Sequence, residues 1–395
     1  MSTNSGKPAI VLSATVIFVY GTVASLLGTL LPSLSARFHL SPEQNGYIAA
    51  VQAVGVALAT LVAGPLMDSK GVKVTLVGGL ALMLVSLIGL LAAVGGSTLI
   101  VAILILGVGS GTVIVAANHL AGQVDERQRA SAVNLANTFF GLGGLATPFI
   151  AANLLSGNPI RLAYLVAALT AGALLMTLSA RTPIRAKESF HISQLAKIEP
   201  KNLLLLLCSV SFLYVGCEIA FWNWLPKYLM SRGNDARTAL NILGFGFACG
   251  MIAGRLLALP LLRRLSAAAV CILAGIGMAA ATFAVVHIAS STLAFVAVFL
   301  SGVAMGPVFP SALGITSDSF PLMTGTCIGL VITAGWCGAA ISSWIIGSIA
   351  GSDPSRLGLA LCVVPLFSVL IVVLSLAVRR MAPKARTIVA EPIAT

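Results

Sequence analysis

Long apolar runs separated by short polar segments make up nearly the whole chain. We count twelve runs, with approximate limits at residues 9–31, 44–67, 74–94, 98–121, 131–155, 161–180, 202–229, 238–259, 267–288, 292–312, 325–349 and 356–379. Each is close to the roughly 20 residues that an α-helix needs to cross a bilayer. Backbone inside lipid must satisfy its own hydrogen bonds, and alternating strand patterns are absent, so the pattern predicts transmembrane helices.

Composition and charge agree with a membrane protein. In this chain 58% of the residues are apolar and only 9% are charged. In soluble domains about a quarter of the residues are charged. The net charge of +12 does not indicate nucleic acid, because most Lys and Arg residues fall on the side of the bundle that holds both predicted termini. This bias predicts cytoplasmic termini. The seven cysteines fall inside spans without zinc-ligand spacing, so we expect no metal.

The longest polar interruption, residues 181–201, divides the twelve spans into six and six. We therefore predict an N-terminal half (1–180), a cytoplasmic linker (181–201), a C-terminal half (202–379) and a cytoplasmic tail (380–395).

The two halves match at a constant offset of 195 residues. The matches are Pro65-Leu66 with Pro260-Leu261, the "GVGSG" of Gly107–Gly111 with the "GVAMG" of Gly302–Gly306, Gly143 with Gly338, and Ile150 with Ile345. Chance matches would scatter over many offsets. Duplicated six-span halves are typical of transporters whose substrate site lies near the midplane where the halves meet.

The segment "GPLMDSKGVK" (Gly64–Lys73) resembles the loop motif of the major facilitator superfamily. Gly64 and Gly71 permit a tight turn, Asp68 can face a helix N-terminus or an Arg, and Lys73 holds the loop in the cytoplasm. The resemblance implies that this loop latches the two halves in the outward-open state. Arg127 in "QVDERQR" is a candidate latch partner. The alternatives are a loop that only fixes topology and a solvated charged segment.

Three further stretches resemble the fucose–galactose–glucose:proton symporter family. They are residues 107–122 followed by 131–150, residues 302–321, and "FLYVGCEIAFWNWLPKYL" (Phe212–Leu229). The resemblance implies sugar uptake coupled to protons. Permeases of that family often carry one acid before the Leu-Pro of span one and another before the Ala-Asn of span four. Here Gly28-Thr29 and Ile114-Val115 occupy those places, which leaves Glu218 as the carboxylate clearly deep in a span.

Glu218 shares a helix face with Tyr214 and Trp222, which lie four residues before and after it. A carboxylate inside a membrane helix usually faces the bundle interior or a wet cavity. Three interpretations remain open: a titrating proton-coupling acid, a charged hydrogen-bond anchor for substrate, or a structural partner of an Arg or amide. We expect Arg255, near the cytoplasmic end of span eight, to lie too far away to be that partner.

Other polar and aromatic residues inside spans are candidate substrate contacts, with interhelical packing as the alternative for each. They are Tyr20, Gln52, Asn118, Asn137 and Trp336. Pro307 and Pro310 bracket Phe309 and predict a weakened or kinked span ten, either as a moving gate or as a static kink.

The sequence thus predicts an all-α polytopic protein with twelve transmembrane helices in two pseudo-symmetric halves, the major facilitator fold. We expect alternating access with proton-coupled uptake of a small neutral solute such as a monosaccharide. An exporter of amphipathic or cationic compounds is the alternative. No nucleotide loop or catalytic constellation is found, so we expect neither an enzyme nor a cofactor. We further expect a monomer in a bacterial inner membrane, with substrate, protons and lipid as its partners.

Overall fold

A computed structural model describes residues 6–122, 129–155, 158, 160–180, 199–288, 290–320 and 323–382. Helices account for the regular structure of these residues. The first half contains α1 (Gly6–Phe38), α2 (Pro42–Lys70), α3 (Val72–Leu91), α4 (Gly96–Gly122), α5 (Arg129–Asn153) and α6 (Arg161–Ser179). All six correspond to predicted spans.

Several spans of the second half are built from more than one helical piece. The second half contains α7 (Lys201–Ser231), the series α8 (Ala236–Asn241), π-helix (Ile242–Ala248) and α9 (Cys249–Leu262), then α10 (Ala267–His287), α11 (Ser291–Met305), α12 (Val308–Ser319), α13 (Thr324–Ala350), a 3₁₀ turn (Pro354–Arg356), α14 (Leu357–Leu361) and α15 (Val363–Met381). Among the described residues, eleven continuous or composite helices are long and apolar enough to cross a membrane. With α5 as the twelfth, the predicted fold is confirmed.

Equivalent glycines in the two halves, 195 residues apart, lie against equivalent backbone carbonyls of a neighbouring helix. A Cβ added to Gly111 of α4 would lie 2.6 Å from the Val56 carbonyl oxygen of α2. At the same offset, a Cβ on Gly306 would lie 2.6 Å from the Met251 carbonyl oxygen. Two further pairs repeat this relationship: Gly107 with Gln52, and Gly302 with Phe247. The repeat in the sequence therefore reflects a shared backbone crossing that leaves no room for side chains.

The π-helix brings the crossing positions of the second half into the 195-residue correspondence with those of the first half. Ser41 caps α2 and Asp235 caps α8. Gln52 lies eleven residues after its cap, whereas the equivalent Phe247 lies twelve residues after its own. A π turn closes its hydrogen bonds over one more residue than an α turn. The wider turn absorbs the extra residue before the crossing with α11.

Span ten is interrupted where the sequence predicts a kink. Helix α11 ends at Met305, and α12 begins at Val308 after a turn at Gly306 and Pro307. Pro307 has no N–H to donate, so the helix ladder is broken there. Phe309 follows directly and packs back onto α7.

The two halves meet along three helix pairs: α1 with α7, α2 with α13, and α5 with the α8–α9 series. The α1–α7 crossing is very tight at Gly28, since a Cβ there would overlap the Trp222 carbonyl and lie 2.8 Å from the Cα of Asn223. Each half otherwise has its own apolar core. The space between the halves is therefore the place for a site that both halves share.

Candidate functional site

A narrow cavity lies between the two halves near the middle of the bundle. Helices of both halves contribute to its wall. Its lining residues are Tyr20 and Ala24 of α1, Ala49, Gln52, Ala53 and Val56 of α2, Ser110 of α4, Ile219 and Asn223 of α7, and Trp336 of α13. None of these side chains carries a charge.

The polar groups of this cavity have no hydrogen-bond partners within the part of the chain that the structure describes. Ser110 Oγ is buried without a hydrogen bond. Tyr20, Gln52 and Asn223 are also buried, and no hydrogen bond joins their side chains to another residue of the described ranges. Buried polar groups are nearly always hydrogen-bonded. Four unbonded groups around one cavity leave donors and acceptors available for a bound solute.

The structure brings together three of the candidates predicted from sequence and adds two more. Tyr20, Gln52 and Trp336, from three different helices, line the same cavity. Sequence reasoning missed Ser110 and Asn223. The available signals were a hydroxyl inside the repeated glycine motif of span four and an amide between two tryptophans in span seven.

Glu218 does not line this cavity, although it lies on the same helix as Asn223. Its side chain is only 9% exposed and belongs to an aromatic cluster on another face of α7. In that cluster Tyr214 stacks on Phe309, with ring centroids 6.1 Å apart and planes at 18°. Trp222 meets Phe247 edge-on at 5.1 Å. Both Tyr214 and Trp222 interact electrostatically with the carboxylate.

Arg255 interacts electrostatically with Glu218, but no ion pair within 4 Å joins these two described side chains. The expectation that Arg255 lies too far away to be a direct partner therefore stays a prediction. The Arg255 guanidinium interacts with both Glu218 and Tyr214, and its Nε is buried without a hydrogen bond. The long aliphatic stem of arginine lets the guanidinium lie well away from its own backbone position. A buried carboxylate is thereby partly compensated by a cation of the same half.

The remaining predicted contacts are further from the cavity or outside the described side chains. The amide of Asn118 donates a hydrogen bond to the Ile114 carbonyl of its own helix over 2.9 Å, and Asn118 is absent from the cavity lining. The side chain of Asn137 lies outside the described residues. The roles of both remain predictions.

The loop between α2 and α3 differs in part from the prediction. Gly71 forms the turn, with φ +84°, which favours glycine. Gly64 lies inside α2, so the expectation that it forms the turn is wrong. Lys73 Nζ donates to the Leu178 and Ala180 carbonyls at the end of α6, at 2.7 and 2.8 Å. This contact stays within the first half.

The latch between the halves therefore remains a prediction. The side chain of Asp68 and the whole of Arg127 lie outside the described residues. Among the described atoms of this loop, Lys73 satisfies terminal carbonyls of α6, where a cation is favoured by the helix dipole.

Among the described residues, hydrogen bonds between the halves concentrate at one end of the bundle. We call the end that holds Gly6 and Met381 the terminal end, and the other the opposite end. At the opposite end Lys227 Nζ donates to Ser35 Oγ over 3.1 Å, the Glu43 N–H donates to the Gly351 carbonyl over 2.9 Å, and the Asn153 amide donates to Asn241 over 2.8 Å. Thr60 and Thr333 add a bond of 3.1 Å on the terminal side of the cavity.

Comparison with known proteins agrees with this architecture. The family model described as "Major Facilitator Superfamily" matches residues 13–343, which is most of the chain. The chain belongs to the major facilitator superfamily. As a superfamily member it is a membrane transporter, and the family expected from the sequence is confirmed.

Curated relatives of this superfamily member are distant. Protein TsgA homolog of Erwinia tasmaniensis is 25% identical over 236 residues, which cover 59% of this chain and 60% of that protein. Protein TsgA of Salmonella dublin is 23% identical over 350 residues, covering 85% and 86%. The alignment thus spans about three-fifths of the first relative and most of the second.

Solved structures of other transporters share the fold. The partially occluded inward-open conformation of the xylose transporter XylE from E. coli has a TM-score of 0.76 at 12% identity, covering 96% of this chain and 98% of that chain. The superfamily transporter FucP in its outward conformation has a TM-score of 0.68 at 19% identity, covering 93% and 98%. At such identities the likeness concerns the fold alone.

Proposed function

We propose that this superfamily member imports a small neutral solute such as a monosaccharide, driven by protons. The main supporting observation is the uncharged cavity between the halves. Polar side chains of Tyr20, Gln52, Ser110 and Asn223 line it, and Ser110 Oγ is buried there without a hydrogen bond. Aromatic side chains of Tyr20 and Trp336 add flat apolar surface. Hydroxyl groups on an otherwise apolar ring are the complement of such a site.

Alternating access fits the placement of the contacts between the halves. The cavity is narrow in this conformation, and the hydrogen bonds of Lys227, Glu43 and Asn153 hold the opposite end together. With the predicted cytoplasmic termini, the opposite end faces outward, so this conformation is closed to the outside. A monosaccharide then enters or leaves when the halves rock apart about the midplane.

We assign proton coupling to Glu218, and its position supports that role over a direct contact with substrate. The carboxylate is buried outside the cavity lining and interacts electrostatically with Arg255. Protonation of Glu218 removes one charge of this pair and leaves the Arg255 cation uncompensated. A conformation that changes the burial or separation of this pair therefore changes the proton affinity of Glu218, which is what a coupling group requires.

Tyr20 connects the charge of Glu218 with the cavity. Its ring lines the cavity wall, and the Glu218 carboxylate interacts electrostatically with its hydroxyl. The two residues belong to different halves, since Tyr20 lies on α1 and Glu218 on α7. A change in the charge of Glu218 therefore alters the electrostatic energy of Tyr20 at the solute site. It also alters an interaction between the two halves.

Export of cationic compounds is the competing function. It needs a counter-charge in the substrate site, but Glu218 is absent from the cavity lining and already interacts electrostatically with Arg255. The neutral lining of the cavity therefore favours a neutral solute.

Proteoliposomes containing the purified protein test the proposal. With an inward proton gradient, we expect accumulation of labelled monosaccharide (D-glucose, D-xylose or L-fucose) against its gradient. Glu218→Gln should keep solute exchange but lose accumulation. Glu199→Gln, an exposed carboxylate just before α7, is the matched control and should accumulate normally.

Two results would contradict the proposal. Accumulation that survives in Glu218→Gln removes the coupling role from that residue. Transport of a lipophilic cation such as tetraphenylphosphonium, without transport of any sugar, favours the exporter instead.

A further inference from the structure

Two cavity residues that the sequence did not single out belong to different halves of the protein. Ser110 belongs to α4 of the first half, and Asn223 belongs to α7 of the second. We infer that Ser110 and Asn223 are specificity-determining residues that hold one uncharged polyhydroxy solute from both halves of the cavity wall. This inference rests on the proposed function and assigns residues to its substrate site.

Ser110 differs from Thr112, the other buried hydroxyl residue of α4, in its hydrogen bonding. A Ser or Thr in a helix commonly donates to the carbonyl four residues earlier, as Thr112 does to Val108 over 2.8 Å. Ser110 Oγ makes no such bond, although it is only 2% exposed. Burying an unsatisfied hydroxyl is unfavourable. A solute hydroxyl in the adjoining cavity would satisfy it.

Asn223 is fixed in place by the tight crossing between α1 and α7. Its Cα lies 2.8 Å from where a Cβ on Gly28 would stand, so α1 leaves this backbone little freedom. The residue is 2% exposed, and its amide has no hydrogen bond to another side chain or backbone group of the described part. Ile219, four residues earlier, lines the same cavity. The backbone that carries this amide is thus held in place at the cavity wall.

The repeat gives an independent indication that the two residues serve a site rather than the scaffold. At the 195-residue offset, Ser110 corresponds to Met305 and Asn223 corresponds to Gly28. Neither equivalent has a polar side chain, and Met305 is fully buried. The duplicated scaffold therefore does not need polarity at these positions. At each of these two positions, one half has a hydrogen-bonding group where the other half has none, and both groups line the same cavity.

The chemistry of the pair indicates hydroxyl groups on the solute. A serine hydroxyl and a carboxamide both donate and accept hydrogen bonds, and a hydroxyl group can complement either one. A cation or an anion would find no opposite charge among the lining side chains. A solute with two or more hydroxyls can bond both residues at once and thereby join the halves.

Equilibrium binding to purified protein tests this inference. We would measure the affinity of wild type, Ser110→Ala and Asn223→Ala for labelled D-glucose, D-xylose and L-fucose. Each variant should weaken binding about tenfold or more, the loss expected when a hydrogen bond to a bound solute is removed. Ser375→Ala is the matched control, because Ser375 Oγ is also buried without a partner but lies on α15 away from the cavity. Its affinity should equal that of wild type.

Two further measurements separate a substrate contact from a structural one. Without ligand, Ser110→Ala should melt at the same temperature as wild type or higher, since the hydroxyl has no protein bond to lose. Asn223→Ser, which keeps a hydrogen-bonding group, should recover part of the lost affinity. With 2-deoxy, 3-deoxy and 6-deoxy-glucose, each alanine variant should lose its penalty for the analogue that lacks the hydroxyl it contacts.

The outcomes distinguish this inference from the proposed function. If wild type binds a sugar and both alanine variants bind it equally well, the residue assignment is wrong while the proposed function stands. If wild type binds none of the sugars, whether or not it binds tetraphenylphosphonium, both are overturned. A loss of affinity equally large in Ser375→Ala would also overturn the assignment.

Discussion

Lys227 Nζ donates a hydrogen bond to Ser35 Oγ over 3.1 Å, and this bond joins the second half to the first at the opposite end of the bundle. Lys227 is partly buried, and no carboxylate of the described residues lies within ion-pair distance of it. Ser35 also contacts Asn45 Oδ1 at 3.1 Å. A cation is thus held at a helix interface by neutral groups only.

Substitutions at these two positions should shift the conformational equilibrium in opposite directions. Ser35→Ala leaves the Lys227 cation without its bond in the closed interface, so it should favour opening of the opposite end. Lys227→Met removes a charge that is costly to bury in a membrane protein, so it should favour closure. Distances between spin labels at the exposed Ser97 and Ser352 report the separation of the halves.

The double variant Ser35→Ala with Lys227→Met supplies the control for that pair. It should behave like Lys227→Met, because Ser35 acts through the cation. Longer distances in both single variants would show that the bond matters more than the buried charge.

A double-mutant cycle should reveal coupling between Glu218 and Arg255. Arg255→Gln alone leaves the buried carboxylate without its cation and should lower the melting temperature. Adding Glu218→Gln should recover part of this loss, with a coupling of roughly 1–3 kcal/mol. Arg264→Gln, an exposed basic residue on the same side of the bundle, is the matched charge control. Strict additivity of the two substitutions would rule out the pair.

The crossing of α1 with α7 should not tolerate a methyl group. In Gly28→Ala the new Cβ overlaps the Trp222 carbonyl, and overpacking typically costs about 1–3 kcal/mol. We expect a lower melting temperature and reduced transport. Gly172→Ala on α6 is the control, because no atom lies within 4 Å of its Cβ position. A melting temperature of Gly28→Ala equal to that of Gly172→Ala would contradict this crossing.

The α8 cap should depend on pH. The Thr238 N–H donates to Asp235 Oδ1 over 2.6 Å, and this bond lowers the pKa of the Asp235 carboxyl from its ordinary value of 3.8. Because the pKa is lower in the folded protein, the stabilisation is present above the ordinary value and is lost as pH falls through the lowered one.

Hydrogen exchange of the Thr238 amide measures this cap. Its protection should fall in the acidic range for wild type and should stay constant there for Asp235→Asn, which keeps an uncharged acceptor. Equal pH profiles for the two proteins would show that the carboxylate charge does not support the cap.

The sequence predicted the fold well because each span carries its own evidence. Apolar length alone located the helices, and the pair Pro307 and Pro310 located the break in span ten. The glycine motif at Gly107–Gly111 and its repeat indicated the duplication, and the structure shows that both copies form close backbone crossings. Gly64 was misplaced because a glycine permits a turn without requiring one, and α2 continues past it.

The candidate site was predicted only in part, for a geometric reason. Glu218 attracted attention because a carboxylate in an apolar run is conspicuous, whereas the amide of Asn223 is not. With 3.6 residues per turn, these positions lie about 140° apart around α7. The sequence could not show which of these faces meets the cavity and which belongs to the aromatic cluster of Tyr214 and Trp222.

Properties that depend on one helix at a time were thus determined by the sequence itself: the number and limits of the spans and the broken helix. The tertiary structure decided which polar groups meet. Burial in lipid constrains every helix in the same way, so apolar length is readable locally. The rotation of each helix is set by its neighbours, and only their packing brings Tyr20, Gln52, Ser110, Asn223 and Trp336 around one cavity.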